Sequence, residues 1–272
     1  MELTENQIER YSRQIVLKEV GGKGQKILLN SKISIIGAGG LGSPVALYLA
    51  AAGIGTIRII DFDSVDLSNL QRQVLHYTTD VKKPKTESAY EKLHKLNPDI
   101  NIDVVSEQLN PTNALELLDG SDYVIDGSDN LQTKMLINDI CIKLGIPFTI
   151  AGVLRFHGQI LTVIPQEKTT CYRCIFGEIQ STPSSMSCSQ AGVMGYLAGI
   201  FGCLEANESI KYLLGLGNLI TNKMLFIDLL NYHFNFIDIQ RDENCLACGD
   251  NANIGNLINT LNYKMDDVCY DD

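Results

Sequence analysis

No stretch of about 18 or more uninterrupted apolar residues occurs in this 272-residue chain, which argues against a membrane-spanning helix. The run at 191–204 comes closest, but it is short and rich in small residues. The N-terminus lacks the apolar core of a secretory signal, since MELTENQIERYSRQ is polar and charged throughout. The expected compartment is therefore the cytoplasm. Positive charge is also in deficit: 22 Lys and Arg face 32 Asp and Glu, a formal charge of −10. That balance argues against a protein that coats nucleic acid, which would carry a basic face. It leaves room for a locally basic nucleotide pocket. Histidine is scarce, at four residues, and nothing draws His76 and His157, the two that lie near motifs, into one ligand set. Apolar residues, at 45%, are plentiful enough for a substantial core. Eight cysteines without a secretion signal read as metal ligands, catalytic thiols or buried residues rather than a disulfide framework.

Periodicity divides the chain into alternating elements. Residues 1–30 read as a helical arm, with Ile8, Tyr11 and Ile15 on one side and a break at Gly21-Gly22. Strands follow at 32–36, 56–60, 102–105, 123–125 and 148–151, and helices at 41–52, 85–96 and 131–144. This alternation predicts an α/β fold with a doubly wound, mainly parallel sheet covered on both faces. Beyond residue 155 the runs 159–164, 224–229 and 233–239 alternate as an antiparallel extension would. The polar segment 181–189 reads as a mobile loop and 192–214 as a buried helix. Residues 1–250 would form a single domain, with 251–272 a loosely attached tail.

Gly37-Ala38-Gly39-Gly40-Leu41-Gly42 leaves a strand and opens a helix, the context of a Rossmann-like nucleotide-binding turn. Glycine lets backbone approach phosphate, and the helix start offers free N–H groups to an anion. Asp61 ends the next strand, where a carboxylate meets ribose hydroxyls. An NAD-dependent oxidoreductase would use the same turn; the polar stretch after Asp61 speaks against one. Two CxxC pairs, Cys171/Cys174 and Cys245/Cys248, offer the four thiolates of a closed, structural zinc site. Cys141 and Cys203 fall in apolar helices and read as core, and Cys269 has no motif behind it.

The stretch from Asp61 to Gln73 reads DFDSVDLSNLQRQ. With GAGGLGS before it and KKPKTESA, DGSDN, CYRC and CLACG after it, in this order over residues 8–249, the chain resembles the ThiF/MoeB/HesA family of adenylating enzymes. The resemblance implies ATP- and magnesium-dependent adenylation of the C-terminal glycine of a ubiquitin-like sulfur-carrier protein, in thiamin or molybdopterin biosynthesis. It also implies that Asn69 and Arg72 contact nucleotide phosphates, that Lys85 holds the triphosphate, and that Asp63, Ser68, Gln73 and Asn130 line the nucleotide pocket. Arg13, from the ERYSRQ motif, would reach the ATP of the partner in a homodimer. Asp129 reads as a helix N-cap on its own and, through the resemblance, as the catalytic aspartate. Relatives commonly carry arginine where this chain has Lys134, which keeps the charge but not the bidentate fork. Cys188 is either a spectator or a thiol that links covalently to the carrier. No sulfurtransferase domain follows the second cysteine pair, so sulfur is expected from a separate persulfide protein. Adenylation of a peptide C-terminus in natural-product synthesis and a non-catalytic carrier-docking module are the competing readings.

Overall fold

The computed structural model describes residues 2–177, 192–260 and 263. Short isoleucine-rich runs set its centre. β1 (Lys32–Ile36), β2 (Thr56–Ile60) and β4 (Tyr123–Asp126) bury Ile33, Ile35, Ile57, Ile59, Val124 and Ile125 completely. Runs with so little alternation suit strands covered on both faces. Together with β3 (Asn101–Val105), β5 (Phe148–Leu154), β6 (His157–Val163), β7 (Lys223–Asp228) and β8 (His233–Asp238) they form one sheet, ordered β3-β2-β1-β4-β5-β6-β7-β8. The first five strands are parallel; β6, β7 and β8 add on antiparallel. This is the doubly wound α/β sheet with an antiparallel extension that the sequence pattern predicts. From β1 the chain runs outward through β2 to β3 and then returns to β4 on the other side. A crevice opens at such a reversal, beyond the carboxyl ends of β1 and β4.

Helices cover both faces. α1 (Glu5–Arg10), α2 (Ser12–Ile15) and α3 (Gly21–Asn30) precede the sheet. α3, α4 (Gly42–Ala52), α5 (Lys85–Leu96) and the C-terminal half of α9 (Gly195–Leu214) close one face. α6 (Ala114–Leu118), α7 (Leu131–Leu144), α8 (Tyr172–Phe176) and α10 (Ile254–Thr260) close the other. α9 comes close because small residues permit it. A Cβ on Gly202 would lie 2.5 Å from Pro44, and one on Gly158 2.2 Å from the Phe201 ring. Among the described residues, no helix is long and apolar enough to cross a membrane.

Several local expectations differ from the structure. The arm breaks before the glycines, and Gly21 instead opens α3 in a left-handed conformation with φ of 57°. Tyr11 is buried but Ile8 is exposed, because the arm docks through one tyrosine rather than a stripe. The Tyr11 ring lies over Gly53, and its Oη accepts a hydrogen bond from Asn97 Nδ2 at 2.8 Å. Cys141 is buried as expected, whereas Cys203 is exposed: α9 turns Phe201 and Gly202 inward, and residue 203 falls on its outer side. Where a loose tail is expected, Leu257, Ile258 and Tyr263 are buried against the α7 side of the core. Residues 181–189 with Cys188, and Cys269, lie outside the described residues.

α9 also carries two buried acids with opposite fates. Glu208 is fully engaged: Oε2 accepts from Thr162 Oγ1 at 2.8 Å and Ile220 N at 2.6 Å, and Oε1 meets Lys211 at 2.9 Å. Glu205 is fully buried, and neither carboxyl oxygen has a partner among the described residues. Burial pushes its carboxyl well up, Asp126 adds to the effect, and Lys134 only partly opposes it. An acid whose folded pKa is raised binds more protons folded than unfolded. Stability therefore falls as pH rises above the unfolded value of about 4.3. Glu205→Gln removes this titration. Its melting temperature should match wild type near about pH 4 and exceed it increasingly at higher pH, by about 2–4 °C per kcal/mol. Thermal melts of both proteins across pH check this, and a difference that stays constant with pH would refute it.

Candidate functional site

The crevice is built first from the glycine turn after β1. Gly37 has φ of 94°, and a Cβ there would sit 2.8 Å from the carbonyl oxygen of Gly127, in the loop after β4. A Cβ on Gly42 would sit 1.8 Å from Gly37 O. Packing thus forces glycine at both ends of the turn. The middle is different: at Gly39 a Cβ would meet only Gln73 Nε2, at 3.7 Å. Among the described residues, no backbone carbonyl accepts the N–H of Gly39, Gly40 or Leu41. Asp61, from the end of β2, closes the inner side. Its Oδ2 accepts Ala38 N at 2.7 Å, and its Oδ1 accepts Asp63 N at 2.8 Å. Burial pushes the Asp61 carboxyl above the usual range, against the pull of Lys85 and these two N–H donors. Each oxygen keeps a lone pair with which to accept from a hydroxyl.

The stretch after Asp61 forms the outer wall. Asp66 caps a short 3-10 turn, Leu67–Asn69, and Asn69 Oδ1 accepts Asp66 N in return at 3.2 Å. Arg72 donates from Nη1 to Ser68 O at 3.2 Å, and its aliphatic stem lies against Gly40. Ser68 is exposed; Gln73 is buried, and its Oε1 has no partner among the described residues. Lys85, the first residue of α5, points its Nζ at Asp63 Oδ2, 2.7 Å away. The lysine side chain is 7% exposed and the aspartate 37%, so the pair sits at the lip of the crevice.

The loop after β4 completes it. Asp126 ends that strand, with Oδ1 accepting Ser128 N at 3.0 Å and Ser128 Oγ at 2.5 Å. Lys134 reaches up from α7 with three donations: to Asp126 Oδ2 at 2.5 Å, Ser128 O at 2.8 Å and Ala151 O at 2.7 Å. Desolvation works against its charge, but the Asp126 carboxylate, Tyr172 and the Asp126 hydrogen bond hold the ammonium above the usual lysine range. Asp129 stands exposed at the tip, in no hydrogen bond or ion pair with other described residues. Its reading as the N-cap is corrected: Asn130, in extended backbone immediately before the helix, caps α7 by accepting Thr133 N at 2.8 Å.

Two sequence-derived groups stand apart. Arg13 is exposed on α2, between Tyr11 and a docked Gln14 that donates to Ala52 O at 3.0 Å. On the α7 side, Cys171, Cys174, Cys245 and Cys248 converge, with all sulfurs within 4.8 Å of one another. The closest approaches, 3.7, 3.6 and 3.4 Å, are far longer than a disulfide of about 2.05 Å. Zn–S bonds of about 2.3 Å in a tetrahedron give sulfur spacings of about 3.8 Å, so the set fits zinc. Neighbours hold the first pair in place. Arg173 forks onto Asp139 of α7 at 2.7–3.0 Å, and Asn138 Oδ1 accepts Tyr172 N at 2.8 Å.

Some residues of the site escape sequence reasoning. His76 is buried under the glycine turn, with Nε2 2.9 Å from Ala38 O; a lone histidine carries no spacing signal. Glu205 and the Asn138-Asp139 pair were findable only as polar residues inside otherwise apolar helices.

The model of the ThiF family matches residues 11–247. The SAMP-activating enzyme E1 of Haloferax volcanii is 40% identical over 250 residues, covering 92% of each chain. The sulfur carrier protein adenylyltransferase of Thermus thermophilus is 39% identical over 254 residues, 92% of this chain and 94% of that one. The adenylyltransferase and sulfurtransferase MOCS3 of Arabidopsis thaliana is 40% identical, but this chain spans only 54% of it. Among solved structures, E. coli MccB with ATP superposes with a TM-score of 0.77 at 28% identity, covering 88% of this chain and 74% of that one.

The Lys134 clamp yields a direct test. Lys134→Met would leave Asp126 buried without its cation, at a cost of about 3–5 kcal/mol. Urea unfolding should show that loss, and a change below about 1 kcal/mol would mean that the clamp carries little of the loop's stability.

Proposed function

The chain belongs to the ThiF family, and on that premise we propose that it adenylates the C-terminal glycine of a ubiquitin-like sulfur-carrier protein with ATP. The observation that carries this reading is the meeting, at one strand-order reversal, of the glycine turn with its unclaimed N–H groups, the Lys85–Asp63 pair and the exposed Asp129. The relatives named as carrier-activating enzymes are 39–40% identical, against 28% for MccB with ATP, which favours a protein carrier over a peptide substrate.

The chemistry asks for little besides charge and position. The carrier's carboxylate is already a competent nucleophile near neutral pH. Its oxygen attacks the α-phosphorus, the bond from that phosphorus to the bridging oxygen breaks, and pyrophosphate leaves. Asp61 would accept ribose hydroxyls, while the N–H groups of Gly39 and Gly40 meet phosphate. Asn69, Arg72 and Lys85 would line the triphosphate, with Asp63 handing Lys85 over to it, and Ser68, Gln73 and Asn130 would complete the wall. Asp129 offers a hard oxygen donor suited to magnesium, which supplies neutralisation of phosphate charge when bound. Arg13 would extend into the site of a second subunit, a role supported by its exposed place between two docked neighbours. The four cysteines would hold one zinc ion that ties residues near 245 to α7. Cys188 would act, if at all, after adenylation. Sulfur would come from a separate persulfide protein in the cytoplasm, and residues 1–250 would work as one adenylating unit.

Two measurements test this. Carrier-dependent ATP–pyrophosphate exchange should be present in the wild type and fall about 100-fold or more in Asp129→Ala. Exchange that survives that substitution, or that short peptides stimulate as well as a Gly-Gly-ended carrier, would count against the proposal. Metal analysis should find one zinc per chain, and Cys248→Ser should lower both zinc content and melting temperature, by about 2–4 °C per kcal/mol lost. Substoichiometric zinc in the wild type would refute the metal assignment.

A further inference from the structure

Beneath the glycine turn lies a chain of polar side chains that the proposed chemistry does not use. Lys92 donates from Nζ to Asp80 Oδ2 and, at 3.0 Å, to Ser88 Oγ. Asp80 is itself fixed by Tyr77 N at 2.7 Å. Ser88 Oγ lies 2.8 Å from His76 Nδ1, and His76 Nε2 lies 2.9 Å from Ala38 O. His76, Ser88 and Asp80 are all buried. The proton positions follow from the partners. An ammonium can only donate, so Ser88 Oγ accepts from Lys92 and is free to give its own hydrogen to His76 Nδ1. A carbonyl oxygen can only accept, so Nε2 carries the imidazole hydrogen and donates it to Ala38. Burial, with the nearby Lys85 and Lys92 charges, keeps His76 below the usual histidine range, which agrees with a neutral ring.

The direction of one carbonyl fixes the direction of the next N–H. In a trans peptide, C=O and N–H point to opposite sides. With Ala38 C=O turned down onto buried His76, the N–H of Gly39 points away from it, toward the open side of the turn. The other end of Ala38 is also tied, its N–H donating to Asp61 Oδ2 at 2.7 Å. Ser43 Oγ reaches the same Ala38 oxygen at only 3.4 Å, so His76 at 2.9 Å is the shorter of its two side-chain donors, and Gly39 makes such a latch matter. Without a Cβ, residue 39 tolerates either orientation of the Ala38–Gly39 peptide. The reversed one would aim a carbonyl oxygen at an incoming phosphate.

We propose that His76 is a positioning residue for nucleotide binding, locking the Ala38–Gly39 peptide so that Gly39 N–H faces the phosphates. The proposal rests on the reading of this turn as an ATP site and names a determinant of it. Its substrate class is a nucleoside triphosphate, and its effect is on nucleotide affinity rather than on the carrier.

The test titrates the full chain with a non-hydrolysable ATP analogue and magnesium by calorimetry, and measures carrier-dependent pyrophosphate exchange in parallel. His76→Phe, which keeps the volume and loses the donor, should raise the analogue's Kd and the KM for ATP about 10-fold or more. The KM for carrier should not move. His76→Gln, which returns an N–H donor, should recover most of the affinity, and Ser88→Ala, which frees the ring, should weaken it about 2- to 5-fold. Equal losses in His76→Phe and His76→Gln, or unchanged affinity in His76→Phe, would overturn the proposal. Should His76→Phe fail to fold, Ser88→Ala decides, and wild-type affinity there overturns it. Wild-type protein that binds the analogue but shows no carrier-dependent exchange refutes the carrier reading while leaving this test intact; wild-type protein that does not bind it refutes the nucleotide site itself.

Discussion

The close approach of two loops at the reversal of strand order governs the rest of this molecule. β1 and β4 are neighbours in parallel register, with Ile36 opposite Asp126, so the turns that leave them emerge side by side. Gly37 lies against Gly127, and Gly42 closes onto Gly37 O at a distance no side chain could share. This contact places the loop after β4 beside the glycine turn, and α4, which leaves that turn, packs Pro44 against Gly202 of α9. A larger residue at 37 or 42 would push the two halves of the crevice apart. The glycines of this turn therefore divide into two kinds. Residues 37 and 42 answer to packing, and residue 39 answers to whatever approaches from outside.

Much of this was legible because parallel strands and amphipathic helices write period and length into sequence. The pattern alone predicts elements at 32–36, 56–60, 85–96 and 131–144, and the structure has β1, β2, α5 and α7 there. The cysteine pairs were legible for a different reason: their spacing is a chemical statement that survives without knowledge of the fold. Other features were not. The Gly21-Gly22 pair looks like a break but begins a helix, since a left-handed first residue satisfies the turn that precedes α3. Cys203 sits in apolar surroundings along the chain yet faces outward, because which side of a helix is buried depends on what packs there. The part His76 plays is not legible in the sequence. Its meaning lies in Ala38 and Ser88, 38 residues before it and 12 after it, which only the fold brings together.

Buried polar contacts help tie down the N-terminal arm and the segment around residue 263, the latter together with Leu257 and Ile258. Tyr11 is seated over Gly53 by Asn97, and Arg173 and Tyr263 both reach Asp139 on α7. These contacts are specific in direction, so they fix register where the hydrophobic pattern is thin. Asp139 receives a planar guanidinium fork, an arrangement that lysine could not supply. The cysteine set lies on this same helix face, and α7 thereby connects it to the loop that carries Asp129.

At the other end of α7 the geometry is the opposite, and there it suits lysine. The oxygens of Asp126, Ser128 and Ala151 surround one point at 2.5–2.8 Å, and they come from a strand end, a loop and a neighbouring strand. Three acceptors disposed around a point match the three hydrogens of an ammonium, whereas a guanidinium presents its donors in one plane. All three Lys134 hydrogens are consumed inside the protein, which leaves none for an incoming carboxylate. In this chain Lys134 therefore holds the loop that carries Asp129. The compensating negative charge is Asp126, fully buried and paired. Glu205 on α9 has its carboxyl pushed well up by burial, with the same Asp126 charge adding to the effect and the Lys134 ammonium opposing it only in part. Of the two buried acids near this one cation, Asp126 holds it in a 2.5 Å ion pair and braces the loop, while Glu205 has no partner among the described residues.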